Sequence, residues 1–63
     1  MNYIKAAKDF ANSYIAKYPQ HRSEIEDLYG LFLDEVQEEG ASVINEYNLM
    51  TSDIVELCEE EQN

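Results

Sequence analysis

Basic residues run out early in this chain. Lys5, Lys8, Lys17 and Arg22 are its only lysines and arginines, and none follows from Ser23 to Asn63. Every acidic residue except Asp9 lies in that later stretch, which gives a formal net charge of -10. Like charges folded into a small volume repel one another, so such a segment asks for a partner or another constraint. Direct binding of nucleic acid through its last part, Thr51 to Glu60, is not expected, because phosphates would meet carboxylates.

Cysteine and histidine are almost absent too. Cys58 alone allows no intrachain disulfide, and with His21 as the only histidine a Cys/His zinc centre lacks ligands. One cysteine and no secretory segment fit a reducing cytoplasm. The opening residues Met1-Asn2-Tyr3-Ile4-Lys5 lack the apolar run of a signal peptide. No apolar stretch approaches the roughly 20 residues of a membrane span. Two glycines and one proline leave little material for turns between strands, which makes helix the default. What is plentiful is apolar and aromatic: 44% hydrophobic residues, with five tyrosines and two phenylalanines, argue for a folded chain despite the charge.

The apolar period supports helices. Ile4, Ala7, Phe10, Ala11, Tyr14, Ile15 and Tyr18 recur at three- and four-residue steps, which predicts a first helix over about residues 2–18. Pro19 ends it, since the residue before proline is pushed out of the α region. Ser23-Glu24-Ile25-Glu26 reads as a capping box opening a second helix over 24–39. Its buried stripe is Ile25, Leu28, Tyr29, Phe32 and Val36, flanked by Leu33, with Leu31 off the stripe. Gly30 falls inside this helix, at a cost of about 1 kcal/mol relative to alanine. It is either a tolerated surface glycine or a point where another backbone approaches closely.

Gly40 after Glu38-Glu39 reads as a C-terminal glycine, with Ser42 capping a third helix over 42–61. The apolar phase runs through Gly40, so one rod from Glu24 to Met50 is the alternative; a bundle buries more area. Thr51, with Met50 and Val55 as a staple, marks a second break at 51–52 that would give four short helices. Residues 59–63 read as a frayed acidic tail. The expected architecture is therefore all-α, a small three-helix bundle in a single domain over 1–63. At 63 residues it lies near the lower limit for folding alone, so self-association, most simply a homodimer, is expected to help. Tyr29, Gly30 and Phe32 are the self-association candidates.

The acids carry the functional argument. Glu24, Glu26, Asp27, Asp34, Glu35, Glu38 and Glu39 spread along about 24 Å of the second helix, about one charge per 3.4 Å. One strand of DNA has a similar spacing, so this face could imitate a phosphate backbone. A solvated acidic face is the simpler reading. Against it, Glu38 and Glu39 close the second helix and Glu59, Glu60 and Glu61 the last, where the macrodipole disfavours anions. Lys5 and Lys8 begin the first helix, where it disfavours cations; each misplacement costs about 0.3–1 kcal/mol at low salt. The partner-binding candidates are Glu24, Asp27, Asp34, Glu35, Glu38, Glu39, Asp53 and Glu56.

Other chemistry finds little support. Asp34 to Gly40 lacks the alternating oxygen ligands of a calcium loop, and i, i+4 pairs such as Asp34 with Glu38 would hold a divalent ion only weakly. No nucleophile motif or phosphate-binding glycine loop is present, and no cofactor is implied. His21 sits beside Arg22 in the proline-bearing loop with no motif around it, so an enzyme is not expected. The tyrosines fit core packing with the hydroxyl at the rim, or an aromatic interface. Cys58 fits a small buried hydrophobe.

In size, in the base-free stretch from Ser23 to Asn63 and in the lack of a catalytic signature, the chain resembles the small acidic helical accessory proteins that phages encode among their early genes. That resemblance implies a non-catalytic protein that binds and modulates a host or cellular protein, in the cytoplasm of a bacterial host. The alternative is a nucleic-acid mimic occupying the basic groove of a DNA- or RNA-binding protein. Neither direct nucleic-acid binding nor membrane association is expected.

Overall fold

The computed structural model describes residues 1–60 and is all-α, a bundle of three helices with no strand among the described residues. Helix α1 spans Tyr3–Lys17, α2 spans Arg22–Leu33 and α3 spans Val43–Cys58. Each end has a local cause. Asn2 caps α1, its side chain accepting from the Lys5 N–H at 3.1 Å. Tyr18, forced out of the helical region by Pro19 (φ -129, ψ 68), ends α1.

Pro19–His21 form a single 3-10 turn that winds directly into α2. The helix is thus under way before Ser23, which lies inside its first turn, and the Ser23–Glu26 capping box is not made. The residue at the cap position is His21, with no side-chain cap bond, and the Glu26 carboxylate meets Arg22 Nη1 at 3.5 Å instead.

The second helix departs from the α pattern at its far end. Asp34–Glu38 form a wider, π-type turn. Glu39 N–H donates to Asp34 O five residues back, at 3.1 Å, and Ala41 N–H to Glu35 O six back, at 2.9 Å. Gly40 then reverses the chain at φ 72, a left-handed conformation that a side chain disfavours. Ser42 caps α3, its hydroxyl accepting from Asn45 N–H at 3.4 Å. The second break considered at Thr51 does not occur. Its hydroxyl donates to Asn48 O at 3.1 Å, and the helix runs through it without interruption. No glycine or proline stands between Val43 and Cys58 to stop it.

The core is Ala7 and Ala11 of α1, Ile25 and Phe32 of α2, and Met50, Ile54 and Cys58 of α3. Two alanines at the centre of the α1 stripe let its backbone come close to both partners, while Ile4, Phe10, Tyr14, Ile15 and Tyr18 close over the sides. Phe10, Tyr14 and Tyr18 stack as an i, i+4 ladder with centroids 4.7 and 5.9 Å apart. Tyr3 meets Tyr47 edge to face at 5.3 Å, which ties the start of α1 to α3. The molecule measures 34 × 20 × 18 Å. Among the described residues, no helix is long and apolar enough to cross a membrane.

Candidate functional site

The acids proposed from sequence fall into two groups once the helices pack. Because α2 and α3 run antiparallel, Glu24 and Asp27 of α2 face Asp53 and Glu56 of α3 across an open groove of about 550 Å³. Its floor is Leu28, Leu31 and Leu57. A smaller extension of about 100 Å³ continues along the same helix pair past Leu31 and Asp53 to Glu46 and Leu49. Leu31 and Leu49 are 54% and 57% exposed, two of the few large apolar side chains left to solvent. The remaining candidates, Asp34, Glu35, Glu38 and Glu39, lie on or beside the π-type turn and do not line this groove.

The groove faces away from α1. On α3, residues that meet α1 include Tyr47 through Tyr3, Val55 beside Phe10, and Glu59 through Tyr14. Leu49, Asp53 and Glu56 occupy the opposite flank of that helix. A second opening of about 450 Å³ lies between α1 and α3, walled by Phe10, Thr51, Ser52, Val55 and Glu60. It offers one acid and no exposed large apolar side chain, so it has less to hold a ligand with.

The self-association candidates divide as well. Phe32 is 2% exposed and belongs to the core cluster, so its ring is committed to the interior of the bundle. Tyr29 is half-buried against the same cluster, its ring 6.4 Å from that of Phe32. At Gly30 a Cβ would meet nothing within 4 Å, so among the described residues no other segment's backbone approaches it. The close approach of another backbone, one of the two readings of that glycine, finds no support among the described residues.

Electrostatics are mostly local. Among the described residues, ion pairs join positions three or four apart: Lys5 with Asp9 at 2.7 Å, Arg22 with Glu26 at 3.5 Å and His21 with Glu24 at 3.4 Å. The Asp9 hydrogen bond and charge raise the Lys5 ammonium above its ordinary value, but both side chains stand in solvent and contribute little to stability. A hydrogen bond between side chains reaches across the bundle. The Tyr14 hydroxyl donates to the Glu59 carboxylate, tying α1 to the C-terminal end of α3. That bond, with smaller contributions from desolvation and the carboxylate charge, pushes the Tyr14 phenol up to about 12. Glu59, an acid the helix dipole disfavours, is thereby supplied with a donor. The expected frayed tail over 59–63 does not include Glu59, whose N–H also donates to Val55 O at 2.8 Å; residues 61–63 lie outside the described residues.

Sequence reasoning found the four groove acids but missed Glu46 and the leucines that give the groove its floor. The available signal was Leu31, standing off the buried stripe among acids. Leu49 has the same character on α3. Neither shows from sequence that the two share a face. Among the described residues, no group of three or more His, Cys, Asp or Glu side chains is arranged to hold a metal ion. Compared with protein-family models, curated proteins and solved structures, the chain matches none.

Proposed function

We propose that this chain is a non-catalytic interaction protein that engages a cellular protein through the α2–α3 groove, in the manner of the phage accessory proteins it resembles. The observation that carries the reading is the pairing of Leu31 and Leu49 with Glu24, Asp27, Asp53 and Glu56 on one face. An apolar floor within a charged rim is the anatomy of a protein-binding surface, where burial supplies affinity and the rim supplies orientation and partner choice. Exposed leucines set in a groove are costly to leave in water and gain most when covered.

The alternative, a nucleic-acid mimic, draws on the same acids but not on the leucines. It requires charge at regular spacing and gains nothing from an apolar floor. Parallel affinity capture from the cells that make the protein separates the two. Wild type is compared with a Leu31→Ser/Leu49→Ser variant, which should keep the fold because both side chains are exposed. The proposed function expects a protein retained by wild type at elevated salt and lost from the variant. A protein that both retain equally, and that salt elutes, would establish mimicry instead.

A further inference from the structure

We infer that the occupant of the α2–α3 groove is a single basic amphipathic helix of a partner protein, laid between the two walls as a fourth helix of the bundle. The inference rests on the reading that this groove is the partner surface, and adds what fills it.

Backbone chemistry decides the form. Both walls are helices whose main-chain groups are already bonded within α2 and α3. An extended segment lying here would find no ladder for its own N–H and C=O groups, whereas a helix brings its hydrogen bonds with it. Length agrees, for Glu46 to Leu57 rises about 16 Å along α3, three turns of an opposing helix. The floor of Leu28, Leu31, Leu49 and Leu57 calls for apolar residues at i, i+3 or i+4, and i+7 on the occupant.

Charge decides the chemistry of its flanks. Glu24 and Asp27 stand on one wall, and Glu46, Asp53 and Glu56 on the other. The occupant therefore carries Lys or Arg on both sides of its apolar stripe. A second copy of this chain does not meet that description. Lys5, Lys8 and Lys17 belong to α1, whose apolar stripe is already used in its own core, and two α2–α3 faces brought together would set acid against acid.

The test uses the full chain and a synthetic peptide of about 14 residues, with leucines at the helical spacing and Lys and Arg on the flanks. The control is an isomer of the same composition with shuffled spacing. Fluorescence anisotropy gives affinity, and circular dichroism reports helix gained on mixing. The amphipathic peptide should bind at least about tenfold more tightly than its isomer and gain helicity as it does so. The Leu31→Ser/Leu49→Ser protein, checked by its melt to be folded, should lose about tenfold in affinity for it. Equal binding of the isomer without helix gain would overturn the inference in favour of an extended or purely charge-held occupant. Failure of both peptides to bind would overturn it outright. Sedimentation showing a dimer that the double variant dissolves would put a second copy in the groove. None of these outcomes decides the capture experiment with the cellular partner, so the groove can stand as the partner surface when the helix does not.

Discussion

Gly30 and Gly40 invite the same substitution and should answer it with opposite signs. Gly30 lies within α2 with open space around the position of a Cβ. Gly30→Ala therefore removes backbone freedom from the unfolded chain and clashes with nothing, and should stabilise the fold by about 0.5–1 kcal/mol. Gly40 holds φ 72, where a Cβ crowds the following carbonyl, so Gly40→Ala should destabilise by about 1–2 kcal/mol. Urea midpoints of the two variants against wild type check both. Tyr14 makes a third single-residue case. Its phenol is raised from 10.0 to about 12 in the folded protein, mainly by the bond to Glu59. The neutral hydroxyl is the form that the fold favours. This contribution is fully present below pH 10 and is lost as pH rises from 10 towards 12. Tyr14→Phe should lower stability by about 1 kcal/mol at neutral pH, and the difference from wild type should shrink across that alkaline window. A Tyr14→Phe protein whose melting temperature falls with alkaline pH as steeply as that of wild type would show that the bond carries no such linkage.

At the level of elements, the punctuation of the chain is written in single residues. Pro19 stops α1 and starts the turn into α2, and Gly40 with Ser42 separates α2 from α3. The three-helix, all-α class follows from the spacing of apolar residues between those marks. Other features have no local signature. Ser23 has the right neighbours for a capping box, yet the turn begun at Pro19 carries helical winding past it. The π-type turn at Asp34–Glu38 depends on how the end of α2 meets the chain reversal, and no residue type announces it. The groove is legible only in halves. Glu24 with Asp27, and Asp53 with Glu56, can be picked out along the sequence, but that they face one another over Leu31 and Leu49 depends on the antiparallel register of two helices. Charges at the end of α2 give the prediction at this scale. Glu38 and Glu39 stand where the helix dipole disfavours anions. Changing both to lysine should raise stability by about 0.3–1 kcal/mol per site at low salt and by less at high salt. These two residues lie outside the groove, so the same variant should keep its hold on a groove partner. Thermal melts at two ionic strengths, followed by capture, measure both effects.

The whole molecule is a small body with a net charge of -10, and most of its bases are already engaged locally or lie on the face made by α1. Self-repulsion should therefore limit its stability in dilute buffer. Raising salt from about 10 mM to 0.15 M shortens the Debye length from about 30 to 8 Å and should raise the melting temperature. A melting temperature independent of salt would mean that the acids do not strain the fold. Covering the α2–α3 face with a basic partner would relieve the same repulsion while burying the two exposed leucines, which joins the charge of the chain to its proposed work. Parallel capture with wild type and with the folded Leu31→Ser/Leu49→Ser variant, read by mass spectrometry across a salt series, tests that link most directly. The account predicts a cellular protein that wild type holds through elevated salt and the double variant releases. Equal retention by both proteins, with elution as salt rises, would contradict it.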